Sequence, residues 1–198
     1  MTEVIQIPRA SDSTQPGVLS ISGSTYRDPE DVLRVYLSAL TGLDKELVRK
    51  RWTQKPGTRP KVGTDWAAVG IDRVRTEGFP YQHGRKPQEP SDPDVNTRTS
   101  WQTLHCIASF YGPHAAELSD GFRESIQLPQ NNTVLKGYGL TIQAVDDEVA
   151  HVPEFAFEQW IDRYDVFFRL GRSVTRTYGV RTIVSAEDIQ IITERGKA

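Results

Sequence analysis

The residues best suited to catalysis are a histidine and the single cysteine, which stand side by side as His105 and Cys106. A thiolate paired with an imidazole is a nucleophile activated by a base. The surrounding residues alternate as a β-strand, however, and adjacent side chains of a strand leave opposite faces of the sheet. The two groups therefore cannot act on each other, and Cys106 is predicted to be a buried small hydrophobic residue with no basic neighbour to lower its pKa.

Three further patterns of chemically active residues fall short of a site. The remaining histidines are His83, His114 and His151, and their spacing does not match a zinc site. Gly137-Tyr138-Gly139 precedes a predicted strand, whereas a phosphate-binding glycine turn follows one. The acidic run at residues 146–148 lacks the spaced carboxylates and central glycine of a calcium loop, and we predict a solvated hairpin tip. We therefore predict no catalytic, cofactor or metal site, and no enzyme.

Arginines and aromatic residues interleave near the C-terminus, which is typical of a binding surface. The residues are Arg163, Tyr164, Phe167, Phe168, Arg169, Arg172, Arg176, Tyr178 and Arg181. This composition fits either single-stranded nucleic acid or a protein interface. Asp162 and Asp165 partly neutralise the surface, which favours the protein interface. The predicted interface residues are Arg163, Asp165, Arg169, Arg176 and Tyr178.

Composition indicates an ordinary globular chain with much polar surface. The 198 residues suffice for one domain with a core, and 37% are hydrophobic and 25% charged. The net charge of -2 implies no bulk attraction to nucleic acid or anionic lipid. Charge is unevenly spread, because residues 45–61 are basic and residues 146–154 are acidic. Such segregation suits docking onto complementary protein surfaces; the alternative is that both runs are solvated loops.

Location follows from what the sequence lacks. A single cysteine fits a reducing compartment. The first eight residues do not read as a signal peptide, and no stretch approaches the roughly 20 apolar residues of a membrane span. We therefore expect synthesis in the cytoplasm and no membrane contact.

Hydrophobic periodicity predicts a helix, a long loop and several strands. One helix opens at Asp28 and ends at Gly42, and a second follows Gly112-Pro113 and ends at Leu128-Pro129. In the second helix, Ala115, Leu118, Phe122 and Ile126 are predicted to be buried and Glu117, Ser119, Arg123 and Glu124 to face water. Strands are predicted at residues 65–75, 101–111, 140–145, 160–170, 174–184 and 189–192.

These elements predict an α+β fold. Adjacent strands favour antiparallel pairing, so we expect a two-layer sandwich in which two amphipathic helices cover one face of a mostly antiparallel sheet. Residues 1–27 are predicted to form an arm, residues 28–195 a single domain with a long loop at 76–100, and residues 196–198 a tail.

Several short blocks follow one another in order along the chain. They are Asp65-Trp66 with Gly70-Ile71, Ser109-Phe110-Tyr111-Gly112-Pro113, Leu128-Pro129-Gln130-Asn131, Val152-Pro153-Glu154, Trp160 with Arg163 and Asp165, and Arg176-Thr177-Tyr178. Taken together, these blocks resemble the neck or tail terminator proteins of contractile-tailed bacteriophages. The resemblance runs from about Asp28 to Glu194 and leaves out the arm and the loop at 76–100.

The resemblance implies a virion protein that assembles in the host cytoplasm as a hexameric ring. Such a ring binds the tail tube protein and caps the tube, and it also binds the head-side connector or stopper protein. The tail sheath protein is a further partner. DNA passes through it without specific binding. We expect the arm and the 76–100 loop to make partner contacts, and the basic run at 45–61 to lie outside the channel. The alternatives are another head-tail joining component, a small nucleic-acid-binding protein, or a small hydrolase.

Overall fold

The computed structural model describes residues 7–53, 58–85, 95–156 and 158–180. The strands are β1 (Arg9–Ala10), β2 (Val18–Leu19), β3 (Gly23–Ser24), β4 (Val48–Lys50), β5 (Trp66–Arg85), β6 (Val95–Tyr111), β7 (Leu140–His151), β8 (Glu154–Ala156), β9 (Gln159–Ile161) and β10 (Arg163–Gly179). The helices are α1 (Pro29–Thr41), α2 (Ala115–Ser125) and α3 (Pro129–Lys136). The predicted α+β class is confirmed.

Contacts divide the chain into two compact units. The smaller one comprises the described residues within 1–24, 82–98 and 176–198. In it, β1 pairs with β2 in parallel, and β3 pairs antiparallel with the end of β10, where Gly23 faces Thr177. Part of the predicted arm thus consists of short paired strands, while its boundary at residue 27 remains a prediction.

The larger unit, residues 25–81 and 99–175, holds the main sheet. Its neighbouring strands run in the order β4, β5, β6, β10 and β7. β4 pairs in parallel with β5, with Val48 opposite Ala67, and β7 pairs antiparallel with β10. The sheet is mostly antiparallel, as predicted.

Helix α1 begins and ends as its sequence predicts. The Asp28 side chain accepts a hydrogen bond from the backbone N–H of Glu30, and Pro29 occupies the first turn, where its missing N–H costs nothing. Gly42 ends the helix with φ 75°, a left-handed conformation that favours glycine. Leu33 and Leu37 are buried on one face, so α1 lies on the core.

The corner from β6 into α2 builds the centre of the core. Leu104, Cys106, Ala108 and Phe110 are buried on one face of β6, as predicted. Phe122 of α2 lies 5.4 Å from Phe110 and 5.7 Å from Phe168 of β10, measured between ring centroids. Each such fully buried aromatic contributes roughly 1.5–3 kcal/mol of transfer free energy. The helices therefore pack on this face, and alternate side chains point to the other.

The loop predicted at 76–100 is largely wrong within the described residues. β5 runs on to Arg85 and β6 starts at Val95, so much of that segment is strand, and residues 86–94 lie outside the described residues. The side chains from Asp72 to Phe79 are exposed. A strand held by backbone hydrogen bonds with little burial shows no apolar alternation, which is why the sequence looked like a loop.

Other boundaries also differ. The predicted strands at 160–170 and 174–184 form one strand, β10, as far as Gly179. Trp160 instead belongs to β9, whose one partner among the described strands is β8, and Trp160 is 71% exposed. The second helix, α2, ends at Ser125 rather than at Leu128-Pro129, and α3 follows it. Ser119 is buried rather than facing water, and its hydroxyl is satisfied because it donates to the carbonyl of Ala116. The strand predicted at 189–192, Arg181 and the tail at 196–198 lie outside the described residues.

Candidate functional site

A cleft of about 640 Å³ opens in the larger unit beside β4. We call it the cationic cleft. It is lined by Arg34, Arg49, Lys50, Arg51, Trp52, Thr53, Arg59, Trp66, Ala68, Tyr111, Glu154 and Arg163.

A glycine of β5 lets the chain leaving β4 fold across the sheet. The parallel pairing of β4 with β5 continues when the backbone N–H of Arg51 donates to the carbonyl of Val69 at 2.9 Å. Trp52 then lies directly against Gly70, where a Cβ atom would come within 2.5 Å of the indole ring. Only a residue without a side chain leaves room for this approach. Gly70 thus fixes Trp52 and Arg51 at one wall of the cleft.

Positive charge dominates the lining. Six of the lining residues are cations, Arg34, Arg49, Lys50, Arg51, Arg59 and Arg163, against one carboxylate, Glu154. Arg34 donates to the carbonyl oxygens of Val48 and Lys45 at 3.0 and 3.4 Å, and Arg49 donates to that of Thr58 at 2.6 Å. Within the part of the chain that the structure describes, neither of these arginines pairs with a carboxylate. Their charges remain available to an anionic group.

Lys50, in contrast, is neutralised by the start of α1. Its Nζ lies 2.6 Å from Asp28 Oδ2 and 2.9 Å from Asp31 Oδ1. Hydrogen bonds to Asp28 and Asp31 raise the pKa of Lys50. Burial alone would raise the pKa of Asp28, but the hydrogen bonds from Lys50 and from the backbone of Glu30 outweigh it, so the pKa is lowered. Both groups therefore stay charged at neutral pH.

A buried carboxylate pairs with two of the arginines that line the cleft. Asp165 is 3% exposed, accepts a hydrogen bond from Ser109 Oγ at 2.5 Å and forms an ion pair with Arg163, whose Nη2 lies 3.2 Å from Asp165 Oδ2. Arg51 Nη1 donates to the same Ser109 hydroxyl and lies 3.8 Å from Asp165 Oδ1. A buried carboxylate persists only when it is paired in this way. Asp165 thus holds two arginines in fixed positions.

The ion pairs continue from Arg163 through Glu154 to Arg59. Arg163 Nη1 lies 3.5 Å from Glu154 Oε2, and Glu154 Oε1 accepts from Arg59 Nη2 at 2.6 Å. Arg163 Nε is buried and has no hydrogen-bond partner among the described residues. Such an unpaired donor is uncommon in proteins, and it leaves one position in the cleft wall where an acceptor would be favoured.

Two stacked aromatic rings, together with Trp52 and Ala68, form the apolar part of the lining. Trp66 and Tyr111 stack with centroids 4.0 Å apart and planes 3° from parallel. The Arg59 guanidinium lies 5.8 Å from the Trp66 centroid and 5.7 Å from the Tyr111 centroid, which is within cation–π range. Burial raises the pKa of Tyr111. The faces of these rings are thus already used inside the protein, whereas Trp52 remains 52% exposed.

The acidic run lies on β7, at the opposite end of the strand order from β4, and not at the predicted hairpin tip. Val166 of β10 pairs with Val149, and Phe168 pairs with Val145. Three residues of β7, Asp146, Asp147 and Glu148, therefore face a single residue of β10, which makes a β-bulge. All three are exposed. We call them the acidic bulge.

The structure separates the five residues of the predicted interface. Arg163 and Asp165 meet in the buried network, and Arg169 is exposed on β10. Arg176 and Tyr178 are half-buried in the smaller unit. Among the interleaved aromatic residues, Phe168 belongs to the core and is 1% exposed. The interface itself stays a prediction.

The cleft includes residues that the sequence did not mark as a site. Trp66 and Tyr111 were assigned to predicted strands and Arg34 to the first helix, and Trp52 lies in the basic run without an assigned role. The signal that was visible is the basic run at 45–61, which supplies Arg49, Lys50, Arg51 and Arg59.

The described ranges contain no candidate metal site. In them, no group of three or more His, Cys, Asp or Glu side chains is placed to hold a metal ion. None of the helices described combines the length and apolar character that a membrane crossing requires.

The chain matches the model of a known protein family. The family described as phage neck terminator protein matches residues 29–196. The matched region runs from the first residue of α1 and includes every residue of the cationic cleft and of the acidic bulge. No curated protein matches the chain.

Proposed function

The chain belongs to the phage neck terminator family, and we propose that it is a structural subunit of the neck that forms a ring, caps the tail tube and joins it to the head-side connector. The family match over residues 29–196 is the observation that carries this proposal. Membership in the family implies a structural role in joining head to tail and a location in the virion.

Ring formation is supported by the two different ends of the sheet. A closed ring of identical subunits with head-to-tail contacts needs two distinct, complementary surfaces on each copy. In the larger unit, β4 and β7 are the outer strands, and among the described strands of that unit neither has a neighbour on its outer side. Basic residues gather beside β4 and acidic residues on β7. Each copy therefore offers two surfaces of opposite charge.

Capping a tube requires one face that binds the last tube ring and another that no further tube subunit can bind. We propose that the ring is hexameric, and that the head-side connector occupies the second face. The described part of the arm, the residues that flank 86–94, and the exposed Arg169 are the surfaces we assign to partner contacts, together with Arg176 and Tyr178.

Electron microscopy of the purified protein, alone and mixed with isolated tail tubes, tests this function. The proposal expects annular particles and rings seated at one end of each tube. Tubes polymerised in the presence of the protein should stop growing once capped. A protein that leaves tube ends bare and tube growth unchanged would contradict the proposal.

A connector or stopper on the head side is the alternative within the same structural class. Both functions predict rings, so the partner distinguishes them. Binding to isolated tubes and not to DNA-filled heads supports the terminator, and the reverse preference supports the stopper.

The cationic cleft favours a second candidate, a site for single-stranded nucleic acid. Arginines beside an exposed tryptophan, Trp52, are the groups that bind phosphates and stack on bases. The stacked faces of Trp66 and Tyr111 are already in use, which leaves little aromatic surface for bases. Fluorescence anisotropy with a labelled oligothymidylate, measured across a salt series, tests it, because phosphate binding weakens steeply with salt. The ring proposal requires no such binding, since it places the basic run at 45–61, and with it most of the cations of the cleft, outside the channel through which DNA passes.

A further inference from the structure

We propose that the cationic cleft of one copy receives the acidic bulge of the next copy, so that this contact closes the ring. The inference rests on the proposed function, because it names the contact between neighbouring subunits. It also assigns one occupant to the cleft, namely a second copy of this chain.

The cleft supplies charge that its own fold does not neutralise. Lys50 has two carboxylate partners, and Arg51, Arg59 and Arg163 share Asp165 and Glu154. Arg34 and Arg49 bond to backbone carbonyls, and within the described residues no carboxylate pairs with them. A carboxylate that approached them would form charge-assisted hydrogen bonds, which are stronger than the carbonyl contacts they make now.

The acidic bulge supplies matching groups in a shape that protrudes. Three consecutive residues of β7 face one residue of β10, so the backbone arches away from the ladder at this point. Asp146, Asp147 and Glu148 are all exposed, and no hydrogen bond or ion pair holds their side chains among the described residues. A protruding, unpaired triplet of carboxylates suits a concave site lined by arginines.

The topology places the two features where a ring requires them. β4 and β7 are the first and last strands of the sheet in the larger unit. A contact from the β4 end of one copy to the β7 end of the next is head-to-tail, and it leaves a free cleft and a free bulge at the ends of any open chain. Only closure satisfies both. Each copy then receives the bulge of one neighbour in its cleft and inserts its own bulge into the cleft of the other neighbour.

Charge reversal on each side tests this contact. The cleft variant carries Arg34→Glu and Arg49→Glu, and the bulge variant carries Asp146→Lys and Asp147→Lys. Like charges then meet at every contact between identical copies, so each variant alone should lose self-association by at least about a hundredfold. Sedimentation velocity and native mass spectrometry measure the association, in solution and on tail tubes.

Two recombinations make the test independent of folding defects. An equimolar mixture of the two variants should assemble again, because each reversed cleft meets a reversed bulge and each native bulge meets a native cleft. A chain with all four substitutions should assemble on its own. A control with Arg73→Glu and Lys136→Glu, both exposed and outside the cleft lining, makes the same charge change as the cleft variant and should assemble like the wild type.

The outcomes separate this contact from the ring itself. If both reversed variants still form rings as the wild type does, or if the two variants stay dissociated when mixed, the contact is wrong and the ring proposal is unaffected. A wild-type chain that remains monomeric both free and on tubes would overturn the ring and the contact together. If the cleft variant assembles normally but loses binding to a labelled oligothymidylate, the cleft serves nucleic acid and the contact is wrong.

Discussion

Asp65, the residue before β5, caps helix α2 through His114. Its Oδ1 accepts a hydrogen bond from the backbone N–H of His114 at 2.9 Å, and its Oδ2 lies 2.8 Å from the Nδ1 of the same residue. No side chain of α2 itself provides an N-terminal cap. A carboxylate at this position also interacts favourably with the positive end of the helix dipole. The start of β5 and the start of α2 are thereby joined.

The first prediction concerns the titration of His114. The hydrogen bond to Asp65, together with charge attraction, raises the pKa of His114 above its ordinary 6.5. Because the folded-state pKa is the higher one, this interaction stabilises the folded protein fully below pH 6.5 and is lost as pH rises through the folded value. NMR titration should show the raised pKa in the wild type and a value closer to 6.5 in Asp65→Asn. An unchanged titration in that variant would contradict the pairing.

The second prediction compares two glycines on either side of His114. Gly112 has φ 110°, and a Cβ there would lie 2.5 Å from Asp65 Oδ1, so Gly112→Ala should destabilise the protein by more than about 1 kcal/mol. Gly121 lies inside α2 with open space around it, so Gly121→Ala should stabilise by about 0.5–1 kcal/mol. Urea denaturation measures both. Effects of the same sign would show that backbone conformation does not control them.

The third prediction concerns the buried network of the cleft. Asp165→Ala leaves Arg51 and Arg163 without their buried carboxylate, which should reduce the free energy of unfolding by about 3 kcal/mol. The matched control is Asp162→Ala, because Asp162 is 68% exposed and pairs only with His151 among the described residues. It should change stability by less than about 0.5 kcal/mol. Thermal melts of the two variants give the comparison, and equal losses would count against the network.

The fourth prediction separates two roles of Asp28. Asp28 is the N-cap of α1, so Asp28→Ala should lower the free energy of unfolding by about 1 kcal/mol. Asp28→Asn keeps the cap and removes the ion pair with Lys50, which is partly exposed, so the loss should be at most about 0.5 kcal/mol. Since the pKa of Asp28 is lowered, its contribution is present above pH 3.8 and is lost as pH falls through the folded value. The free energies of unfolding of the wild type and of Asp28→Asn, measured at a series of acidic pH values, should therefore differ least at the lowest pH.

The fifth prediction concerns the reactivity of Cys106. Its side chain is 2% exposed, and burial, with nearby Asp72 and Glu30, raises the pKa of its thiol far above the ordinary range. The thiolate is the reactive form. Ellman's reagent should therefore label native protein only as fast as the core opens, and labelling should accelerate in urea. Rapid labelling of the native protein would place Cys106 outside the core.

Much of the core was predictable because its signals are local. The cap at Asp28, the proline at position 29 and Gly42 lie within a few residues of the helix they define. The alternation in β6 likewise gave the buried face correctly. Helix α3 was missed because Leu128-Pro129 was taken only as the end of the predicted second helix, although proline is also favoured at the first turn of a new helix.

The cationic cleft was not predictable as a unit, for a physical reason. β4 has only three residues, and it exists because it pairs with β5, a contact between distant parts of the chain. Arg34, Tyr111, Glu154 and Arg163 reach the cleft from four other elements. The basic composition of residues 45–61 was visible, but periodicity gives no information on which distant side chains will meet it.

The shape of β7 has a consequence for how crowded copies behave. A second strand can extend a sheet only along a straight edge with evenly spaced amide and carbonyl groups. At residues 146–148 that edge is arched and carries three carboxylates, so two copies that met through it would repel each other and find their hydrogen-bonding groups out of step. This edge of β7 is thereby protected from pairing with the same edge of another copy when the local concentration is high.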